Sequence, residues 1–131
     1  MPKPEATGIK RFLHSFRYAA QGIVQAYRSE QNMRVHSVVA VVVLAAAAFF
    51  RVPGRDVMLL LLAVTLVLSA ELLNTAIEAA VDLASPEIHP LAKAAKDTAA
   101  GAVLLTALFA VAAGIYVFYR PVIDWIAGIV S

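Results

Sequence analysis

The stretch AELLNTAIEAAVDLA, residues 70–84, decides how this chain folds. Just upstream, 57–70 is a run of 14 residues without a charge. The apolar text then continues but acquires Glu71, Asn74, Glu78 and Asp82. At ~100° per residue these four fall near ~0°, ~300°, ~340° and ~20° around a helix. They form one stripe about 80° wide. Leu73, Ile77 and Ala80 project elsewhere, and Thr75 lies beside the stripe. An otherwise apolar helix therefore carries one acidic face.

Outward from that stretch, the chain reads as a membrane protein. It has 131 residues, enough for one domain, and 61% of them are hydrophobic. Its mean hydropathy is +0.78. Three apolar segments are predicted as spans: 33–50, 57–84 and the helix 91–119, whose uncharged part is AAGAVLLTALFAVAAGIYVFY. About 20 residues of helix cross a bilayer core, and Gly and Pro punctuate the joins at RVPGRD (51–56) and SPEIHP (85–90). No cysteine is present, which excludes disulfides, thiolate catalysis and cysteine-based zinc sites. The net charge of +2 gives no argument for nucleic acid. With 34 mostly polar residues ahead of the first apolar core, the chain does not read as beginning with a cleaved signal peptide.

The basic residues set the expected orientation. The N-terminal segment and the second loop together hold eight Lys and Arg, against three in the first loop and the tail. The positive-inside rule then places the N-terminus and the 85–96 loop in the cytoplasm and the C-terminus outside.

Residues 7–30 are predicted as an amphipathic helix lying on the membrane surface. Ile9, Phe12, Leu13, Phe16, Ala20, Ile23, Val24 and Tyr27 recur at helical spacing, with Lys10, Arg11, His14, Arg17, Tyr18, Gln21 and Gln25 mostly between them. The tail, 122–131, is predicted as a second interfacial piece carrying Trp125.

A carboxylate at mid-bilayer costs about 2.5–3.5 kcal/mol, so several on one face argue for chemistry. Two other readings fit parts of the stripe. Asn74 suits a hydrogen-bonded helix interface. A proton or ion relay also uses intramembrane acids, but it wants them spread across the bilayer, and the first and third apolar cores hold none. Glu71 and Glu78 lie ~10 Å apart along the axis, too far to share one proton. Past the loop, Pro90 suits the first position of a helix, and Lys93, Lys96 and Asp97 fall in its first two turns. Glu30, in RSEQNMRVH, is the one acid between residues 6 and 55. His89 lies in the loop within reach of a ligand, whereas His14 and His36 are expected to be bystanders. Neither a Walker A pattern nor G-x-G-x-x-G occurs, so a soluble-type nucleotide fold is excluded.

The pattern E-x-x-N-[ST]-A-x-E-x-x-x-D at 71–82, followed by HPLAKAAKD at 89–97, resembles the small bacterial membrane lipid kinases, the diacylglycerol kinase and undecaprenol kinase family. The likeness runs from about residue 7 to 119 and includes RFLHSFRYAAQGI and RSEQNMRVH. The resemblance implies an all-α homotrimeric bundle, each subunit having a surface helix and three spans, in the bacterial cell membrane. It implies composite active sites between subunits, with ATP and Mg²⁺ as donor and a membrane lipid alcohol as acceptor. By matching position it implies Glu71 as general base and acceptor contact, Asn74 as a polar catalytic residue, and Glu30 and Glu78 as carboxylates holding metal and nucleotide. Arg11, Tyr18, Glu87, His89, Lys96 and Asp97 match nucleotide contacts, and Arg11 also the acceptor site. The flanking text looks closer to the undecaprenol branch.

Overall fold

The structure is a computed structural model that describes residues 8–130. Residues 7 and 131 of the boundaries above, and Lys3 of the charge count, lie outside them. Four helices follow in order: α1 (Gly8–Ser29), α2 (Gln31–Phe49), α3 (Gly54–Ala84) and α4 (Pro90–Val130). No strand occurs among the described residues. The last three helices are long and apolar enough to cross a membrane.

α1 is the amphipathic helix its spacing predicts. Ile9, Phe12, Leu13 and Phe16 stand exposed, and the Phe12 and Phe16 rings meet edge to face at 5.0 Å. One residue separates α1 from α2. Glu30 adopts an extended backbone (φ −105, ψ 121), which ends the helical ladder and turns the chain. Arg34 steadies the elbow: its Nη1 donates to the carbonyls of Tyr27 at 3.3 Å and Arg28 at 3.2 Å. A cation on the last carbonyls of a helix also meets its negative dipole end. Ala26 and Met33, one on each side of the elbow, are buried.

The α2–α3 hairpin closes through a Schellman motif. Val52 N–H donates to Ala47 O at 3.1 Å and Arg51 N–H to Ala48 O at 3.2 Å. That motif puts its first post-helical residue in the left-handed region, and Arg51 has φ 51. Pro53 follows and starts α3. Beside this turn Ala47, Leu60 and Val117 form a buried cluster flanked by Val43, Leu44, Leu59 and Phe118.

α3 packs chiefly against α4 and secondarily against α2. With 31 and 41 residues, α3 and α4 are about 46 Å and 61 Å long, well beyond the ~30 Å hydrocarbon core. The described part of the segment expected as an interfacial tail is a helical continuation of α4 through Val130, with Pro121 inside the helix. A proline removes one ladder bond, a loss that neighbouring helices can offset. Here Trp125 packs edge-on against Phe49 and Phe50, each at 6.3 Å, and so ties the end of α4 to the hairpin. Most large side chains of α2 and α4 remain exposed, among them Val38, Val41, Leu105 and Tyr116. Those apolar faces suit lipid or further helices.

Candidate active site

The acidic stripe lies where α3 leaves the apolar bundle. Glu71 is 1% exposed and Asn74 8%. Glu78 is half-buried and Asp82 exposed. Asn74 Nδ2 donates to Glu78 Oε1 at 3.0 Å, the i,i+4 contact expected within one helical face. Thr75 donates its hydroxyl to the Glu71 carbonyl at 2.9 Å. Within the stripe predicted from spacing, Asn74 and Glu78 are thus bonded directly.

His36, expected to be a bystander, is part of the site. Its Nε2 lies 3.1 Å from Glu71 Oε1 across the α2–α3 contact. The approach is a close contact rather than an aligned hydrogen bond, so Glu71 Oε1 is a buried acceptor without a donor, as is Asn74 Oδ1. The sequence did carry a signal: His36 is the one ionisable residue between Arg34 and Arg51, and an ionisable group inside a span points to function. His14, the other expected bystander, stacks on Tyr18 with ring centroids 6.3 Å apart.

His36 also lines a cavity of about 420 Å³ between α2, α3 and α4. Val39 and Val43, Val64 and Leu68, and Val111 and Ile115 are among its walls. His36 stands at the end of this apolar space nearest Glu71.

The remaining predicted residues separate into two groups. Glu30 and Glu78 are both within Coulombic reach of Glu71, at the same end of the bundle. Glu30 makes no side-chain cap bond, which leaves its oxygens available. Across the helices, Lys96 of α4 pairs with Asp82 of α3 at 2.5 Å. Lys93 pairs with Asp97 on the same helix. Arg11 and Tyr18 lie exposed on α1, and Glu87 in the α3–α4 loop is exposed. His89 immediately precedes α4: its Nδ1 accepts the Leu91 N–H at 3.1 Å, a side-chain cap on the helix. Within one subunit these four side chains make no direct contact with Glu71 among the bonds and ion pairs described.

A divalent cation fits this donor set. Among the described residues, no three His, Asp or Glu side chains are gathered as a preformed cage. Mg²⁺ does not need one, since it takes one or two carboxylates and completes its shell with water and phosphate oxygens. Buried acceptors without donors, together with the half-buried Glu30 and Glu78, favour a positive partner at this end.

Helical spans and a buried acid cluster that opens at one end define a polytopic membrane protein with a site at its interface. The model of the prokaryotic diacylglycerol kinase family matches residues 17–118. A diacylglycerol kinase of Synechocystis is 44% identical over 113 residues, 86% of this chain and 65% of that protein, so the match spans just under two thirds of that relative. An undecaprenol kinase of Bacillus subtilis is 40% identical over 116 residues, 88% of this chain and 94% of that protein. A diacylglycerol kinase of Pseudomonas aeruginosa is 40% identical over 96 residues, 73% of this chain and 78% of that protein. The chain belongs to the prokaryotic diacylglycerol kinase family, whose named members are lipid kinases.

Proposed function

We propose that this protein transfers the γ-phosphoryl group of ATP to the hydroxyl of a membrane lipid alcohol, with undecaprenol as the preferred acceptor. The observation that carries the reading is the pairing of a buried carboxylate with an apolar cavity. Glu71 stands beside His36 at one end of that cavity. A lipid alcohol has the matching shape: one hydroxyl on a long apolar chain.

In the reaction the lipid oxygen attacks the γ-phosphorus. The new O–P bond forms as the bridging bond to the β-phosphate breaks, ADP leaves, and the hydroxyl proton passes to the Glu71 carboxylate. A weakly nucleophilic hydroxyl needs a base within hydrogen-bond reach, and Glu71 is the most deeply buried of the stripe's acids. Mg²⁺, when bound, neutralises phosphate charge, and Glu30 and Glu78 are the carboxylates to hold it. Asn74 fixes Glu78 through its amide. Lys96 and Asp97 stand at the rim to meet the nucleotide, with Glu87, His89, Arg11 and Tyr18 as further contacts. Arg11 and Tyr18 lie exposed on the surface helix, which accords with a homotrimer whose sites form between subunits. We place the N-terminus and the acidic end in the cytoplasm of a bacterial cell membrane, where ATP is supplied and where the basic residues concentrate.

Diacylglycerol is the second reading, favoured by the relatives of that name. The deciding assay compares kcat/KM for undecaprenol and diacylglycerol in the same mixed micelles. A ratio above one supports the polyisoprenol, and a ratio clearly below one assigns diacylglycerol. Absence of lipid-dependent ATP consumption with either, together with proton flux in liposomes, would replace the kinase by a relay.

A further inference from the structure

We propose that His36 is the positioning residue for the Glu71 carboxylate. The inference rests on the lipid-kinase reading of the site and adds a residue that the acidic motif does not contain. Three observations meet at this side chain. Its Nε2 is 3.1 Å from Glu71 Oε1, close enough that a small ring rotation makes a hydrogen bond. It is about a quarter exposed, whereas the Glu71 side chain is almost wholly buried. It also lines the apolar cavity, so the same ring faces both the acid and the space assigned to the acceptor.

The surroundings explain why Glu71 needs such a neighbour. The other ionisable groups acting on Glu71 are Glu30, from the α1–α2 elbow, and Glu78, two stripe positions further along α3. Both are carboxylates and neither can donate a hydrogen bond when ionised. Thr75, next to the acid on α3, donates its hydroxyl to the Glu71 backbone and not to the carboxylate. Asn74 gives its amide to Glu78. His36 is therefore the donor-capable side chain in contact with the Glu71 carboxylate among the interactions described. A donor on Oε1 fixes the plane of the carboxylate and directs Oε2 to the incoming hydroxyl. That geometry is the usual condition for efficient proton acceptance.

The location on α2 is also suited to the task. Ala40 and Met33 are buried on either side of His36 along the helix, and Ser37 donates its hydroxyl to the Met33 carbonyl at 2.8 Å. The ring thus stands on a packed stretch of backbone rather than on a mobile loop.

The test uses full-length protein in mixed micelles with three variants. His36→Ala is expected to lower kcat about tenfold to a hundredfold, the range of one hydrogen bond to a charged group. KM for MgATP should stay within about twofold, because the nucleotide is held by other residues. His36→Gln, which keeps a donor, should recover much of the loss, an outcome that simple cavity formation does not give. Independently of turnover, Glu71→Gln should move the imidazole NMR resonances of His36 and leave those of His14 and His89 in place. An unchanged kcat in His36→Ala overturns the proposal, as does an equal loss in both His36 variants or a His36 resonance indifferent to Glu71→Gln. A wild-type protein inert toward every lipid alcohol would instead remove the kinase reading, and the resonance experiment would still decide whether His36 holds Glu71.

Discussion

Glu71→Gln replaces the proposed base by a side chain of the same shape that cannot take a proton. In the structure Glu71 is 1% exposed and its close side-chain neighbour across the helices is His36, so this isosteric change opens no cavity. Folding should therefore be preserved: a neutral amide in this position avoids the desolvation cost of a carboxylate. General base catalysis supplies about 10²–10⁴ in rate, so kcat should fall by that factor. At about 1.36 kcal/mol per decade, this corresponds to a barrier higher by about 2.7–5.4 kcal/mol. The amide still offers a carbonyl to His36, so the neighbouring helix contact survives. Because Glu78 and Glu30 are untouched, the affinity for MgATP should be nearly constant. The assay is lipid-dependent ADP release in mixed micelles, paired with nucleotide binding to the same preparation. A kcat within about tenfold of wild type, with normal folding, would refute the assignment of Glu71 as base.

Glu30→Gln and Glu78→Gln should each raise the MgATP concentration needed for half-maximal rate by about tenfold or more, since each removes a carboxylate proposed to hold the metal. Titration of Mg²⁺ at fixed ATP checks this, and an unchanged Mg²⁺ dependence in both sinks the metal role. Arg51→Gly should stabilise the α2–α3 hairpin by about 1 kcal/mol, because the left-handed conformation at φ 51 is strained for any residue with a Cβ. The readout is the unfolding midpoint in detergent, and a lower midpoint would contradict the Schellman reading. Trp125→Ala removes edge-on contacts to Phe49 and Phe50 and should cost about 1–2 kcal/mol. Its kcat should match wild type, since this cluster lies at the end of the bundle opposite Glu71.

The spans and the acidic face were legible because both are periodic. Glu71, Asn74, Glu78 and Asp82 share a face by helix geometry alone, and Asn74 does bond Glu78 one turn away. What escaped was tertiary. His36 meets Glu71 across two helices 35 positions apart in the chain, and a lone histidine in an apolar run has no period to reveal it. Lys96 reaches Asp82 rather than its neighbour Asp97, and again the partner belongs to another helix. His89 caps α4, a role disguised by its place in a Pro-rich loop. The continuity of α4 through Pro121 went against local propensity, because packing of Trp125 on the hairpin outweighs the breaker signal.

The stripe is ordered by depth as well as by face, and the order sorts its roles. A helix crosses ~30 Å of hydrocarbon in about 20 residues, so an α3 span counted from Val57, where the uncharged run begins, ends near residue 77. By that count Glu71 and Asn74 fall within the span, and Glu78 and Asp82 fall past its end. Exposure follows the same course: Glu71 and Asn74 are buried, Glu78 is half-buried and Asp82 is open. A base for a lipid hydroxyl must sit where the lipid does, which only the innermost acid satisfies. A metal that retains waters and phosphate oxygens must sit where water enters, which suits Glu78 and the equally half-buried Glu30. One turn deeper, at Val67, a carboxylate would meet the apolar cavity itself and cost about 2.5–3.5 kcal/mol without reaching the phosphates. One turn shallower, at Thr75, it would lie too far out for a chain-buried alcohol. On the proposed function, the position of Glu71 is therefore the one at which a single helix would let a water-borne donor and a membrane-borne acceptor meet.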